Sequence, residues 1–364
     1  MLLNAEKSRV QMFFAALASV TMLSSCDKGG SSFSVLSDSS SFQQTAVYQP
    51  RKLDVLFLVD NSGSMSSSQN NLAANFSSFI DRFITKGYDF KIAVGTTDAY
   101  YGDQFLSTGC SLCTVNQTRF RSGVAPSPVY VIDKNNYDLG LASEVTRLKS
   151  EFSANVKVGI SGSGDERAFS SIKALLNSSL NSGFHRSDAY LAIIVVSDEE
   201  DFSQDNYTMN ETYTNPALHT VQSYKDFLNT FTGAQSGVDY SVSTISILDS
   251  TCLATLGSGR KIGQRYMQLA DLTGGTKNSL CAPFDTTLDN ISSTIEGQAQ
   301  ALFTLTKKPI ISSIRVVIDG NLVPQSDTNG WSYDAASNTV RINGSTYKPN
   351  AGSNVMINFD PDLN

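Results

Sequence analysis

The run LDVLFLVD, residues 53–60, is apolar at nearly every position and ends on Asp60. The stretch AYLAIIVVSD, 189–198, repeats that design and ends on Asp198. Short continuous apolar runs of this kind suit strands buried on both faces of a parallel sheet. FKIAVGTTD (90–98), VYVID (129–133) and YSVSTISIL (240–248) read as further strands. Between them the spacing changes. Leu72, Phe76, Phe79, Ile80 and Phe83 recur at helical intervals, which predicts an amphipathic helix. Helical patterns also cover 138–155, 166–180, 217–232 and IGQRYMQLADLTGG, and Leu288, Ile291, Ile295 and Leu302 mark a last helix. Strands alternating with helices predict an α/β domain over 51–305 with an open, mostly parallel sheet covered on both faces. Ligands of such sheets bind beyond the carboxyl ends of the strands, so the loops that follow strands are the candidate functional segments.

After Pro309 the texture changes. IRVVIDGNLV, GWSYD, NTVRING and NVMINFDPD are short strands separated by Asn, Asp, Gly and Pro turns, which predicts a small antiparallel, sandwich-like β-domain over 309–364 with Trp331 as its core plug. At the other end, Lys7 and Arg9 precede the apolar stretch VQMFFAALASVTML, 10–23. It has the length of a signal-peptide core rather than of a membrane span. Leu23-Ser24-Ser25-Cys26 resembles a bacterial lipobox. The expectation is a signal peptide over 1–25, an acylated Cys26 held in a lipid bilayer, and a flexible Ser/Gly/Gln-rich tether over 26–50. That places the protein in the cell envelope, at the outer membrane or the periplasmic face.

Four further cysteines, Cys110, Cys113, Cys252 and Cys281, suit disulfides in an exported protein. A local Cys110–Cys113 bridge with Cys252–Cys281 is one of three possible connectivities, and the sequence alone does not choose among them.

The net charge of −7 offers no nucleic-acid footprint. Only His185 and His219 are present, and neither lies in a motif, which argues against a His-rich zinc site and a Ser-His-acid triad. Chemistry concentrates elsewhere, in Asp60-Asn61-Ser62-Gly63-Ser64, in Gly162-Ser163-Gly164-Asp165-Glu166, and in Asp198 with Glu199, Glu200 and Asp201 behind it. Two strand-end carboxylates at one sheet edge repel unless positive charge lies between them, and a divalent cation is the simplest solution. Glu199 to Asp201 read as rim or solvated residues.

These three segments, in this order, resemble the von Willebrand factor type A domain and its metal-ion-dependent adhesion site. The resemblance implies a Rossmann-like doubly wound sheet that holds Mg²⁺, or Mn²⁺ or Ca²⁺. Ser62 and Ser64 would coordinate through hydroxyls, and Asp60 and Asp198 directly or through water. The family's third ligand is usually a threonine. Here Ser163 occupies that place, with Asp165 and Glu166 as rivals. Hydroxyl ligands add no charge, so the ion would keep an open position for an acidic group of a partner protein or surface polymer. Insertions at 99–128, 199–216 and 249–262 would surround it, with Tyr100, Tyr101, Phe105, Glu199 and Phe202 as a binding rim and Asp98 either on that rim or just behind the ligands. The expected function is envelope adhesion without enzymatic activity. The alternatives are a scaffold docking through the C-terminal β-domain and a Mg²⁺-dependent phosphohydrolase. Ser62, standing where the latter would need an acid, disfavours it.

Overall fold

A computed structural model describes residues 42–363 apart from 49, 109, 234–238, 300, 345 and 351. The expected signal peptide, Cys26 and most of the tether lie outside the described residues. The chain runs β1 (Phe42–Val47), β2 (Lys52–Val59), α1 (Ser66–Thr85), β3 (Phe90–Thr96), α2 (Ala99–Gln104), β4 (Val131–Asp133), α3 (Ala142–Asn155), α4 (Ala168–Asn177), β5 (Ala189–Ser197), α5 (Val221–Thr232), β6 (Tyr240–Ser246), α6 (Ser250–Leu256), α7 (Gln264–Thr273), β7 (Lys277–Ser279) and α8 (Phe284–Gln298). It continues through β8 (Leu302–Thr304), β9 (Arg315–Ile318), β10 (Asn321–Val323), β11 (Gly330–Asp334), β12 (Thr339–Asn343) and β13 (Asn354–Phe359).

A six-stranded sheet has the order β4-β3-β2-β5-β6-β7. Its apolar runs are continuous because successive side chains feed two different cores. Val55, Phe57 and Val59 of β2 join Tyr190, Ala192, Ile194 and Val196 of β5 on one face, under α1, α3 and α8. Leu56, Leu58, Leu191, Ile193 and Val195 point to the other, under α4, α5 and α7. Phe76 of α1 stacks on Phe152 of α3, and both Phe79 and Phe152 set their edges against Phe57.

Two antiparallel sheets, β1-β13-β9-β10 and β11-β12-β8, enclose a third core in which Trp331 is buried with Val316, Val340, Ile342 and Ile357. β1 and β8 lie outside the boundaries expected for this region. Phe42 to Val47 pair residue by residue with Phe359 to Asn354, so the end of the expected tether is a sheet edge. Its six residues alternate between half-buried and exposed, a period-two pattern that the sequence hides because Gln44 takes a half-buried position and Val47 an exposed one.

The expected fold class is corrected accordingly. The fold is mixed α/β, with one mixed sheet and two antiparallel sheets, and is not assigned to a Rossmann-like doubly wound architecture with a self-contained C-terminal β-domain. β4 returns antiparallel to β3 after the long 99–128 segment, and the second β-layer needs strands from both ends of the described chain.

Candidate functional site

β2 and β5 are parallel neighbours paired Val59 to Val196, so the residues that follow them emerge side by side. The Asp60 amide donates to the Val196 carbonyl at 3.0 Å. Asp60 is fully buried. One carboxylate oxygen accepts from the Ser62 amide at 2.7 Å, and the other from the Ser197 hydroxyl at 2.6 Å. The Ser62 and Ser64 hydroxyls lie 3.2 Å apart, and Ser64 donates to Asp198 Oδ1 at 2.8 Å. Asp60, Ser62, Ser64 and Asp198 therefore form one connected patch at the sheet edge.

The third loop docks onto the first. Gly162 N donates to the Asn61 carbonyl at 2.8 Å. A Cβ at 162 would sit 2.4 Å from the Asn61 amide nitrogen and 2.7 Å from an Asp98 oxygen, so glycine permits the approach. Asp98 accepts from Asn61 Nδ2 and from the Ser163 amide, each at 3.0 Å. It acts as a clamp between two loops rather than as a rim residue.

Within this loop Ser163 and Asp165 are already committed. The Ser163 hydroxyl accepts from the Asp165 amide at 2.9 Å. Asp165 is gripped by Arg167 through both oxygens, at 3.3 and 2.6 Å, and Arg167 itself is completely buried and also donates to the Gln204 carbonyl. Glu166 differs. It is buried, and among the described residues neither carboxylate oxygen has a hydrogen-bond partner. The Thr97 hydroxyl lies near enough to favour the charged form somewhat, but outside hydrogen-bond geometry. Burial, followed by repulsion from Asp60, pushes Glu166 well above the ordinary glutamate range. Burial also lifts Asp60 to about 6, against hydrogen bonds from Ser197 and Ser62 and with a push from Asp198. Glu199 rises to about 8, from burial first and then from Asp60 and Asp198. Asp60 is thus the acid that Glu166, Asp198 and Glu199 each act against.

Positive charge reaches these acids from Arg260, paired with Asp198, and from Lys261, which opposes the rise of Glu199. Arg260 Nε donates to Asp198 Oδ2 at 2.7 Å, its Nη1 donates to the Leu256 carbonyl at 2.6 Å, and the Lys261 amide donates to the Asp198 carbonyl at 3.1 Å. Arg260 lies in none of the three segments singled out in the sequence for candidate ligands. The only signal for Arg260 was its place in the 249–262 segment after β6.

The acidic run behind Asp198 is not solvated, which corrects the expectation for Glu200 and Asp201. Both are buried. Glu200 accepts from the Arg265 amide and the Tyr213 hydroxyl, while Asp201 accepts from the Arg265 side chain, the Phe169 amide and the Ser203 hydroxyl. Two rim residues are corrected as well, because Phe105 and Phe202 are buried. Arg167 lies over the rings of Tyr101 and Phe105, so this aromatic group shields the buried ion pair. Tyr100 is tied to Asp205. Tyr207 and Tyr213, 43% and 53% exposed, are the aromatics left open near this face. Both expected disulfides are present, Cys110–Cys113 and Cys252–Cys281. The second ties α6, whose last carbonyl holds Arg260, to the segment after β7.

No protein-family model and no curated protein matches the chain. Among solved structures it is similar to the pilus adhesin SpaC from Lactobacillus rhamnosus GG, at 12% identity and a TM-score of 0.39 over 86% of this chain and 39% of that one. It is also similar to proximal thread matrix protein 1 from the mussel byssus, at 12% identity and 0.36 over 71% and 51%. The tip pilin GBS104 from Group B Streptococcus agalactiae matches at 12% and 0.34 over 89% and 82%. The chain thus spans well under half of SpaC and about half of the byssus protein. Likenesses this distant carry no functional weight. The expectation of a von Willebrand factor type A domain with a metal-ion-dependent adhesion site is corrected. No family model supports it, and among the described residues no group of three or more His, Cys, Asp or Glu is gathered to hold a metal ion.

A cation at this edge would therefore depend on hydroxyls as much as on carboxylates. The donor set is all oxygen, which suits a hard divalent ion rather than zinc or copper. The buried, unpartnered carboxylate of Glu166 is the feature that fits such an ion best, since burying an unpaired carboxyl is costly without a counter-charge.

Proposed function

We propose that this is a non-enzymatic binding protein of the cell envelope, acting in adhesion or assembly, whose contact face is the sheet edge carrying Asp60, Ser62, Ser64 and Asp198. We infer further that the face works with a divalent cation, Mg²⁺ or a similar ion, and receives an acidic group of a partner protein or surface polymer. The observation that carries this reading is the unbroken contact from Ser62 through Ser64 to Asp198, with a buried carboxyl, Glu166, that has no hydrogen-bond partner among the described residues. Asp60 would orient Ser62 through its amide, Ser62 and Ser64 would supply neutral oxygens, and Asp198 would supply charge. Hydroxyl donors leave the ion's charge incompletely balanced, which favours an incoming carboxylate.

A binder fits better than a phosphohydrolase. Both oxygens of Asp60 are held by donors and the residue is buried, so it is poorly placed as a nucleophile. Among the described residues no helix is long and apolar enough to cross a membrane. Attachment to the bilayer through acylated Cys26 belongs to the proposal and is supported by the lipobox-like sequence.

A second reading has its own support. Ile310, Ile311 and Leu322 are 48%, 49% and 64% exposed, and β10 is an edge strand. An exposed apolar edge suits docking in an envelope assembly. One comparison separates the two. The full-length protein should be retained on a poly-L-glutamate surface in Mg²⁺ and released by EDTA, and substituting Leu322→Lys should leave that retention intact. Retention that survives EDTA but fails in Leu322→Lys would move the contact to the β-sheet edge.

A further inference from the structure

The proposed face has an electrostatic difficulty that one residue resolves. Asp60 and Asp198 follow paired positions of neighbouring strands and repel one another across it. A divalent ion there does no more than balance those two carboxylates, so an acidic partner would gain little from the ion alone. Resting on the proposed reading, we infer that Arg260 is the specificity-determining residue of this face and supplies, beside the cation, the second positive contact for the partner's carboxylate.

Three observations support the assignment. The guanidinium is anchored at only two of its three nitrogens, Nε to Asp198 and Nη1 to Leu256. Among the described residues Nη2 has no hydrogen-bond partner, and the side chain is 21% exposed. The remaining N–H groups are thus uncommitted among the described residues. Next, the position is built rather than incidental. The neighbouring Lys261 amide holds the Asp198 carbonyl, and the Cys252–Cys281 bridge fixes α6, whose final carbonyl receives Nη1. A pre-ordered guanidinium loses little freedom when it binds. Finally, Asp198 accepts from Ser64 at one oxygen and from Arg260 at the other, so the guanidinium stands at the same carboxylate as the proposed hydroxyl donors. The planar guanidinium matches a carboxylate, which Arg recognises with directional, charge-assisted hydrogen bonds. The partner chemistry is therefore a carboxylate, as in an Asp or Glu side chain or an acidic sugar, and not an amide or a neutral polymer.

The test uses the full-length protein with Mg²⁺ alone as one probe and surfaces of poly-L-glutamate and poly-L-glutamine as the others. In Arg260→Gln, the Mg²⁺ titration should show tighter binding while retention on poly-L-glutamate at saturating Mg²⁺ falls roughly 10- to 100-fold, the usual effect of losing a hydrogen bond to a charged group. Arg260→Lys, which keeps the charge without the fork, should fall between the two and stands in if the glutamine variant does not fold. A merely structural role would weaken both probes together. Retention unchanged in Arg260→Gln yet abolished by EDTA overturns this inference and leaves the cation reading standing. Retention insensitive to EDTA but lost in Arg260→Gln upholds the arginine and removes the cation. Equal retention on poly-L-glutamine refutes the carboxylate assignment.

Discussion

Replacing Arg167 by alanine is expected to lower stability by about 3–5 kcal/mol, read from the midpoint and slope of urea unfolding. The guanidinium is completely buried and paired with Asp165, which is 4% exposed at its side chain. It also satisfies the Gln204 carbonyl at 2.7 Å and supports the rings of Tyr101 and Phe105. Removing it strands a buried carboxylate, the costly way to break such a pair. Removing both charges together, in Asp165→Asn/Arg167→Met, should recover part of the loss, because the penalty comes from the orphaned partner rather than from the missing attraction. A loss below roughly 1 kcal/mol for Arg167→Ala would mean that the pair is solvated. Asp165 would then return as a candidate for the face.

Glu166→Gln should act in the opposite direction on the cation-free protein. Among the described residues the buried carboxyl has no hydrogen-bond partner, and burial with repulsion from Asp60 holds it well above the ordinary value of 4.5. Between that value and its raised folded value, the unfolded chain releases the proton while the folded chain keeps it. Stability contributed by this group is therefore present below pH 4.5 and declines as pH rises. The amide, which cannot ionise, escapes that decline. At neutral pH and without divalent ions, Glu166→Gln is expected to be more stable than wild type by about 1–3 kcal/mol, since each pKa unit between the unfolded and folded values costs about 1.4 kcal/mol. The gap should close as pH falls through 4.5. Adding Mg²⁺ should reverse the order, because the substituted side chain no longer offers charge to the ion.

These two residues also show where the sequence stops being informative. Asp60 and Asp198 were legible because each ends a continuous apolar run, and two such runs in a parallel sheet must finish near one another. The serines were legible from their spacing after Asp60. The cysteine pairs were legible as one of few choices. What escaped were relations made only by tertiary packing. Asp165 and Glu166 are adjacent acids of similar character in the sequence, yet one is gripped by Arg167 and the other is left unpaired. Glu200 and Asp201 looked solvated because acidic runs usually are, whereas Arg265, some sixty residues on, buries them. Arg260 meets Asp198 across a separation of 62 residues, through a loop whose composition gave no warning. β1 was hidden because Gln44 takes one of its half-buried positions and Val47 an exposed one.

The central claim is that a divalent cation belongs at the sheet edge between Asp60 and Asp198, and a calorimetric titration of the full-length protein with Mg²⁺ tests it most directly. The account predicts one saturable site in wild type, absent in Asp60→Ala, with a melting temperature that rises with Mg²⁺ in wild type alone, as mass action requires of a ligand bound only to the folded state. A wild type that shows no saturable heat, or an Asp60→Ala protein that binds and is stabilised as wild type is, would contradict it.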